Sequence, residues 1–156
     1  MIYIDCEYSE INQDRIISLI EYILSYFCLK NKEISVSLVS DSEIKDINSS
    51  YRKINEPTDV LSFALTEGEV MCDDDMLGEI VISYDTAIKQ AKALNHPLII
   101  EIDHLVCHGM LHLLGFDHMN EGDKNIMFIQ HKKILKGFLS KINDLEYIND
   151  NWLLFD

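Results

Sequence analysis

Apolar and polar residues alternate in four short stretches, and this period of two predicts four β-strands. Residues 34–39, ISVSLV, show the alternation most regularly. The four predicted strands are residues 2–7, 34–39, 60–65 and 77–83. The segment 66–76, TEGEVMCDDDM, is polar and acidic, and we expect it to be a loop between the third and fourth strands.

Apolar residues recur at intervals of three and four in the remaining segments, which predicts helices. Ser40 or Asp41 can cap the second of these helices, and Pro57 marks its latest end. The other predicted helices are residues 12–28, 84–94, about 98–114 and about 122–142. For the last helix, the predicted core residues are Ile126, Ile129, Ile134, Leu135 and Phe138.

The order of these elements indicates the fold class. Strands concentrate in the first half of the chain and helices in the second half. The sequence therefore predicts an α+β fold: a small mixed four-stranded sheet with about five helices packed over it. A length of 156 residues favours a single domain, residues 1–156.

Composition excludes some classes of protein and leaves others open. We expect no signal peptide, and no apolar run approaches the roughly 18 residues that a membrane helix needs. The four cysteines form no CxxC pair, so we expect reduced thiols without a disulfide partner in a cytoplasmic protein. A net charge of −14 argues against a nucleic-acid coat protein, but it allows a nucleic-acid enzyme with one local positive site.

The segment HGMLHLLGFDH holds three of the chain's six histidines. His108 and His112 are four residues apart, so a helix would place both imidazoles on one face. Gly115 can end that helix in a left-handed conformation, and the turn would bring His118 back towards the other two. The spacing HxxxHxxGxxH therefore predicts that His108, His112 and His118 share one metal ion.

Three neutral imidazoles would leave one open position on a tetrahedral zinc ion, where a bound water can reach a pKa of roughly 7. Nickel, cobalt and copper also accept three imidazoles. Two simpler interpretations are ordinary helix histidines and a purely structural zinc site. Cys107 and Asp117 are adjacent to ligands in sequence, so we expect both to point elsewhere.

Two further histidines lie near this segment or its packing partners. His104 precedes His108 by one turn, so it is either a buried helix histidine or a residue that orients a metal ligand. His131 follows in the last helix beside Lys132 and Lys133, which favours solvent exposure. The aspartates 73–75 are predicted to lie in a solvated loop rather than to bind a cation.

The segment NSSYRKINEPTDVLSF, residues 48–63, places cationic and hydroxyl side chains around a proline turn. Arg52 is one of only two arginines in the chain, and its planar guanidinium suits phosphate oxygens. A salt bridge from Arg52 to Asp59 or Glu56 is an equally good interpretation. Lys45, Lys53 and the lysines 132, 133 and 136 could add positive charge, although a solvated helix face suits the last three as well.

A zinc peptidase is the alternative suggested by the histidine spacing. Such enzymes use HExxH, in which the glutamate is the general base. Gly109 occupies that position here. We interpret this glycine as leaving space beside the metal for a bulky substrate or for close backbone approach.

The blocks EIDHLV, HGMLHLLGFDH, YRKINEPTDVLSF and LGEIVIS resemble the YbeY family of bacterial endoribonucleases, over about residues 35–135. The resemblance implies cleavage of single-stranded RNA, maturation of 16S ribosomal RNA and ribosome quality control. It also implies His108, His112 and His118 as metal ligands and Arg52 as a functional residue. Small-subunit ribosomal proteins and a ribosome-associated GTPase are the implied partners.

This sequence departs from the family pattern at a few positions. Ala64 stands where a proline is common, Gln130 where a glutamate is common, and the acidic stretch after His118 is thinned to MNEGDKN. These changes concern surface contacts more than the metal site.

The resulting hypothesis is a hydrolase in which zinc-bound water attacks a phosphodiester, with His108 and Arg52 as catalytic residues. Two alternatives stay open: a metallopeptidase-like hydrolase, and a non-catalytic ribosome-associated factor with a structural metal.

Overall fold

The computed structural model describes residues 1–65, 76–117, 120–144 and 146. The predicted acidic loop 66–76 lies outside the described residues except for Met76, which begins the fourth strand. The strands are β1 (Ile2–Asp5), β2 (Glu33–Val39), β3 (Val60–Ala64) and β4 (Met76–Ser83). The helices are α1 (Gln13–Tyr26), α2 (Asp41–Arg52), α3 (Tyr84–Ala93), α4 (Leu98–Leu113) and α5 (Glu121–Lys141).

The four strands form one mixed sheet in the order β1-β2-β4-β3. β1 pairs with β2 in parallel, and β2 pairs with β4 in parallel. β3 runs antiparallel to β4, with Ser62 opposite Ile80, and lies at the end of the sheet. The predicted α+β fold with a mixed four-stranded sheet and five helices is therefore confirmed.

The sheet carries apolar side chains on both faces. On one face, Ile34, Val36 and Ile80 join the main core, to which α1, α4 and α5 contribute. On the other face, Ile44 of α2 packs with Leu61 and Val81 in a smaller cluster. α4 lies deepest in the molecule, since every residue from Ile100 to Leu111 is buried. The histidines of α4 are consequently held on the best-packed helix of the fold.

The helix boundaries follow from their caps. Ser40, one of the two predicted capping residues, caps α2 and forms a reciprocal capping box with Glu43. α2 ends at Arg52 because Lys53 takes a left-handed conformation with φ of 61°. None of the described helices combines the length and the apolarity that crossing a bilayer would require.

The predicted core face of α5 is wrong in its first half. Ile126 and Ile129 are 54% and 50% exposed, whereas Met127 and His131 are buried. The buried stripe continues through the correctly predicted Ile134, Leu135 and Phe138. The exposed face of this half of α5 carries Ile126 and Ile129, and the buried face carries His131. The distribution of apolar residues alone therefore indicated the wrong face as the core face.

A buried ion pair joins α1 to α4. Arg15 Nη2 lies 2.6 Å from Asp103 Oδ2, and Arg15 Nε also contacts the same carboxylate. Arg15 Nη1 reaches Asp144 Oδ2 at 3.1 Å, just after α5. Burial raises the pKa of Asp103 to about 6, although Arg15 opposes this shift. One arginine thus satisfies two carboxylates from two other parts of the chain.

We expect Arg15→Ala to lower the free energy of unfolding by about 3 kcal/mol, because it leaves a buried carboxylate without its partner. Urea denaturation at neutral pH measures this change. The exposed pair of Lys89 with Asp41 is the control, and Lys89→Ala should cost less than about 1 kcal/mol. Equal losses in the two variants would contradict a special role for the buried pair.

Candidate metal centre and cleft

The turn after α4 is built around Gly115. Its φ of 94° is accessible to glycine and strained for other residues. Gly115 N donates to His112 O at 3.0 Å, and Phe116 N donates to Leu111 O at 3.0 Å, which is the hydrogen-bond pattern of a Schellman motif. The predicted role of Gly115 as the residue that ends the helix and reverses the chain is confirmed.

The same turn orients the imidazole of His112. Its Nδ1 lies 3.1 Å from Phe116 O, and an N–H at Nδ1 can donate to this carbonyl. That tautomer leaves the Nε2 lone pair available to a metal. His112 Nε2 is 3.0 Å from His108 Nε2, so the two nitrogens of neighbouring helical turns face the same point.

These two residues fit a zinc ion. Two imidazole nitrogens bound to one tetrahedral zinc at about 2.0–2.1 Å lie about 3.4 Å apart, close to the observed separation. Among residues 1–65, 76–117 and 120–144, no three histidine, cysteine, aspartate or glutamate side chains converge to hold a metal. The third predicted ligand, His118, lies outside the described residues. His108 and His112 are therefore the described part of the candidate centre.

A cleft of about 500 Å³ opens beside the two histidines. Its walls come from α4 and its turn, from the edge strand β3, and from the end of α2. The lining residues include Arg52, Thr58, Ser62, His108, His112 and Asp117. Ser62 Oγ donates to Gly109 O at 3.1 Å and so joins β3 to α4.

Arg52 lies in this cleft wall at the last residue of α2. Asn48 Nδ2 donates to Glu56 O at 2.8 Å, which fastens the following loop back onto the helix. In the described part of the chain, no ion pair links Arg52 to Asp59 or Glu56. Asp59 instead accepts from Val60 N and from Gln90 Nε2. The structure therefore favours the cleft over the salt bridge as the setting of this guanidinium.

Of the two roles predicted for Gly109, the structure supports close backbone approach and not space for a bulky substrate. A Cβ at this position would lie 2.9 Å from Ile80 Cγ2, so the glycine lets α4 pack closely on β4. Its missing side chain makes room for the sheet rather than for a substrate beside the metal. The glutamate of a HExxH peptidase would have to displace Ile80, which argues against the peptidase alternative.

Cys107 and Asp117, which are adjacent in sequence to predicted ligands, lie in different surroundings. Cys107 is fully buried in the core, as expected for a side chain directed away from the site. Asp117 lies in the cleft lining but does not converge with His108 and His112 on one point, which agrees with the expectation that it is not a ligand. The turn at Gly115 carries the chain along the mouth of the cleft and takes Asp117 with it.

Behind the candidate metal centre lies a buried group of polar side chains, in which the burial of His104 was one of two predicted options and the burial of His131 was not predicted. His104 Nδ1 is 2.9 Å from His131 Nε2, and their rings stack at 5.1 Å. His131 is 5% exposed, so the predicted solvent exposure of this residue is wrong. Its spacing from Met127 and Leu135 could have indicated burial, because all three share one helical stripe.

Glu101 and His96 extend this group. His96 Nε2 lies 2.7 Å from Glu101 Oε1, and the His96 ring stacks on His104 at 5.8 Å. Glu101 Oε2 is buried without a hydrogen-bond partner among the described residues. Burial, with the nearby Asp59 carboxylate, raises the pKa of Glu101 to about 7.

Burial also keeps the imidazoles of this group neutral. It lowers the pKa of His104 to about 3, and His96 adds to this shift. The pKa of His131 falls well below its usual value, first through burial and then through His104 and His108. Neutral rings behind the centre add no positive charge that would compete with a bound cation.

The family model for endoribonuclease YbeY matches residues 2–139. The chain belongs to the endoribonuclease YbeY family. Endoribonuclease YbeY of Aquifex aeolicus is 41% identical over 132 residues, which cover 85% of this chain and 87% of that protein. The Finegoldia magna endoribonuclease YbeY is 48% identical over 106 residues, 68% of this chain and 69% of that protein.

A solved structure supports the same fold. The solution structure of a Thermotoga maritima protein superposes with a TM-score of 0.65 and 28% identity, covering 97% of both chains. The resemblance to the YbeY family is thus confirmed over far more than its motifs. As a member of the YbeY family, the protein is an endoribonuclease, which hydrolyses phosphodiester bonds within RNA.

For this YbeY-family chain we predict a pH-dependent role of Glu101 in stability. Its pKa rises from 4.5 to about 7 on folding, so between these values the folded state binds the extra proton. The stability of the wild type relative to Glu101→Gln should therefore fall by about 3 kcal/mol as pH rises across this window. Denaturant unfolding of both proteins at about pH 5 and about pH 8 measures this difference; a pH-independent difference would contradict it.

Proposed function

We propose that the protein is a zinc-dependent endoribonuclease that cleaves single-stranded RNA, with His108, His112 and His118 as the ligands of one ion. The main support is the 3.0 Å separation of the two Nε2 atoms in a cleft that Arg52 also lines. Other divalent transition metals suit the same ligand set. A bound zinc ion supplies Lewis acidity, which activates water and polarises a phosphate.

The side chains of the chain have separate tasks in this proposal. His108 and His112 present neutral nitrogens to the ion, and the hydrogen bond to Phe116 O fixes the ring of His112. Arg52 stabilises negative charge on the phosphoryl oxygens, because its planar guanidinium can bind two oxygens at once. Thr58 and Ser62 line the wall between them and limit where the RNA backbone can lie.

The acidity of the chain constrains how RNA reaches this cleft. A net charge of −14 repels a polyanion outside the immediate surroundings of Arg52 and Lys53. We therefore propose that small-subunit ribosomal proteins or a ribosome-associated GTPase bring the substrate, which is ribosomal RNA in 16S maturation and ribosome quality control. A cytoplasmic location suits this role.

Substitutions in the cleft test the metal and arginine roles. Arg52→Ala should lower kcat on a single-stranded RNA by about 10²-fold, because it removes one preorganised charge contact in the transition state. His108→Ala and His112→Ala should lose bound zinc and reduce cleavage to background. Metal analysis, a cleavage assay with and without chelator, and thermal unfolding are measured on each purified variant.

Lys92→Ala is the matched control, since it removes an exposed cation in the last turn of α3, outside the lining of the cleft. It should keep kcat close to the wild-type value. Full activity in both Arg52→Ala and His108→Ala would overturn the proposal. A wild type that binds zinc but cleaves no RNA, with histidine variants that lose only stability, would instead favour the non-catalytic factor, and digestion of casein would favour the peptidase.

RNA binding by the isolated protein should be weak and sensitive to salt. If Arg52 and Lys53 contact about two phosphates, log K should fall with log salt with a slope of about −1.4. Fluorescence anisotropy with labelled single-stranded RNA between about 50 mM and about 200 mM salt measures this slope. Tight binding that is independent of salt would contradict the prediction.

A further inference from the structure

An exposed aromatic ring stands immediately beside the catalytic arginine. Tyr51 is 73% exposed, although it belongs to the last turn of α2 and precedes Arg52. The structure supplies a reason for its placement, since its ring contacts Phe63 of β3 with centroids 5.2 Å apart and an angle of 58°. One side of the tyrosine is thus supported while much of the ring faces solvent.

Phe63 connects this pair to the cleft. It is half-buried on β3, packs against the cluster of Ile44, Leu61 and Val81, and lines the cleft with Arg52 and His108. The backbone at Tyr51 is also restrained, because the left-handed Lys53 and the bond from Asn48 to Glu56 fix the end of α2. The Tyr51 ring is therefore exposed, while the Phe63 ring and the end of α2 hold it in position.

The chemistry of this position matches an unpaired nucleobase. Bases of single-stranded RNA stack on aromatic side chains, and base stacking tolerates any sequence because every base has a π-face. A base within a duplex is already stacked and paired, so it cannot bind such a ring without unstacking. The adjacent Arg52 supplies the cation for the phosphate of the same nucleotide chain.

We propose that Tyr51, backed by Phe63, is a base-stacking platform that binds one nucleotide next to the scissile phosphate and selects single-stranded RNA. This inference rests on RNA cleavage at the Arg52 cleft, as proposed above. The platform supplies affinity and not chemistry: Tyr51 acts as a specificity residue that holds the substrate strand while Arg52 and the metal ligands act on the phosphate.

Kinetics on a short single-stranded RNA test the platform. Tyr51→Ala should raise KM about tenfold with little change in kcat, because stacking contributes in the ground state and in the transition state alike. Tyr51→Phe and Tyr51→Trp keep an aromatic face and should keep KM within about twofold of the wild type. Tyr3→Ala is the matched control, since Tyr3 is 46% exposed on β1, at the opposite end of the sheet.

Abasic substrates identify the stacked nucleotide. A series of RNAs, each lacking one base near the cleavage site, is cleaved by wild type and Tyr51→Ala. At one position the missing base should raise KM for the wild type and have no further effect in the variant. A fluorescent adenine analogue at that position should be quenched on binding wild type, Tyr51→Phe and Tyr51→Trp, and not on binding Tyr51→Ala.

The outcomes separate this inference from the proposed function. Tyr51→Ala kinetics equal to those of the wild type would overturn the platform and leave the nuclease intact. An effect of Tyr51→Ala that is equal on every abasic RNA would do the same. Unchanged kinetics on free RNA together with weaker binding to ribosomal subunits would assign Tyr51 to a protein contact instead. Quenching of the base analogue without cleavage would support the platform while the proposed function fails. Thermal unfolding of Tyr51→Ala at the wild-type temperature excludes misfolding as the cause of a raised KM.

Discussion

The hydrogen bond between His112 Nδ1 and Phe116 O ties the candidate metal centre to the way α4 ends. Gly115 permits the left-handed turn, the turn brings Phe116 O under the imidazole, and the imidazole then directs Nε2 towards His108. A residue with a side chain at position 115 would strain the turn and would release the ring. The donor geometry is thus a property of backbone conformation as much as of the two histidines.

A second constraint comes from the burial of polar groups along α4. Glu101, His104 and His108 lie on the stripe that faces the interior, where charged forms are unfavourable. The helix accommodates them by pairing Glu101 with His96 and His104 with His131. The same burial keeps His104 and His131 in their neutral forms.

Much of this arrangement could be predicted from sequence because it depends on local patterns. Strand alternation, the Ser40 cap and the Gly115 turn act over a few residues, so their positions agree with the structure. The errors concern contacts between distant segments. The packing of α5 on α4 places His131 inside and Ile126 outside, and the approach of β4 explains Gly109. His118 lies outside the described residues, so its part in the site stays a prediction.

The position of β3 at the edge of the sheet affects the tendency of the protein to aggregate. In the described part of the chain, the outer backbone of this strand has no neighbouring strand, and such an edge can nucleate sheet extension between molecules. Here that edge borders the cleft, so under the proposed function it has to stay open to RNA. The large negative charge of the molecule offers a remedy, because mutual repulsion keeps the open edges of two copies apart.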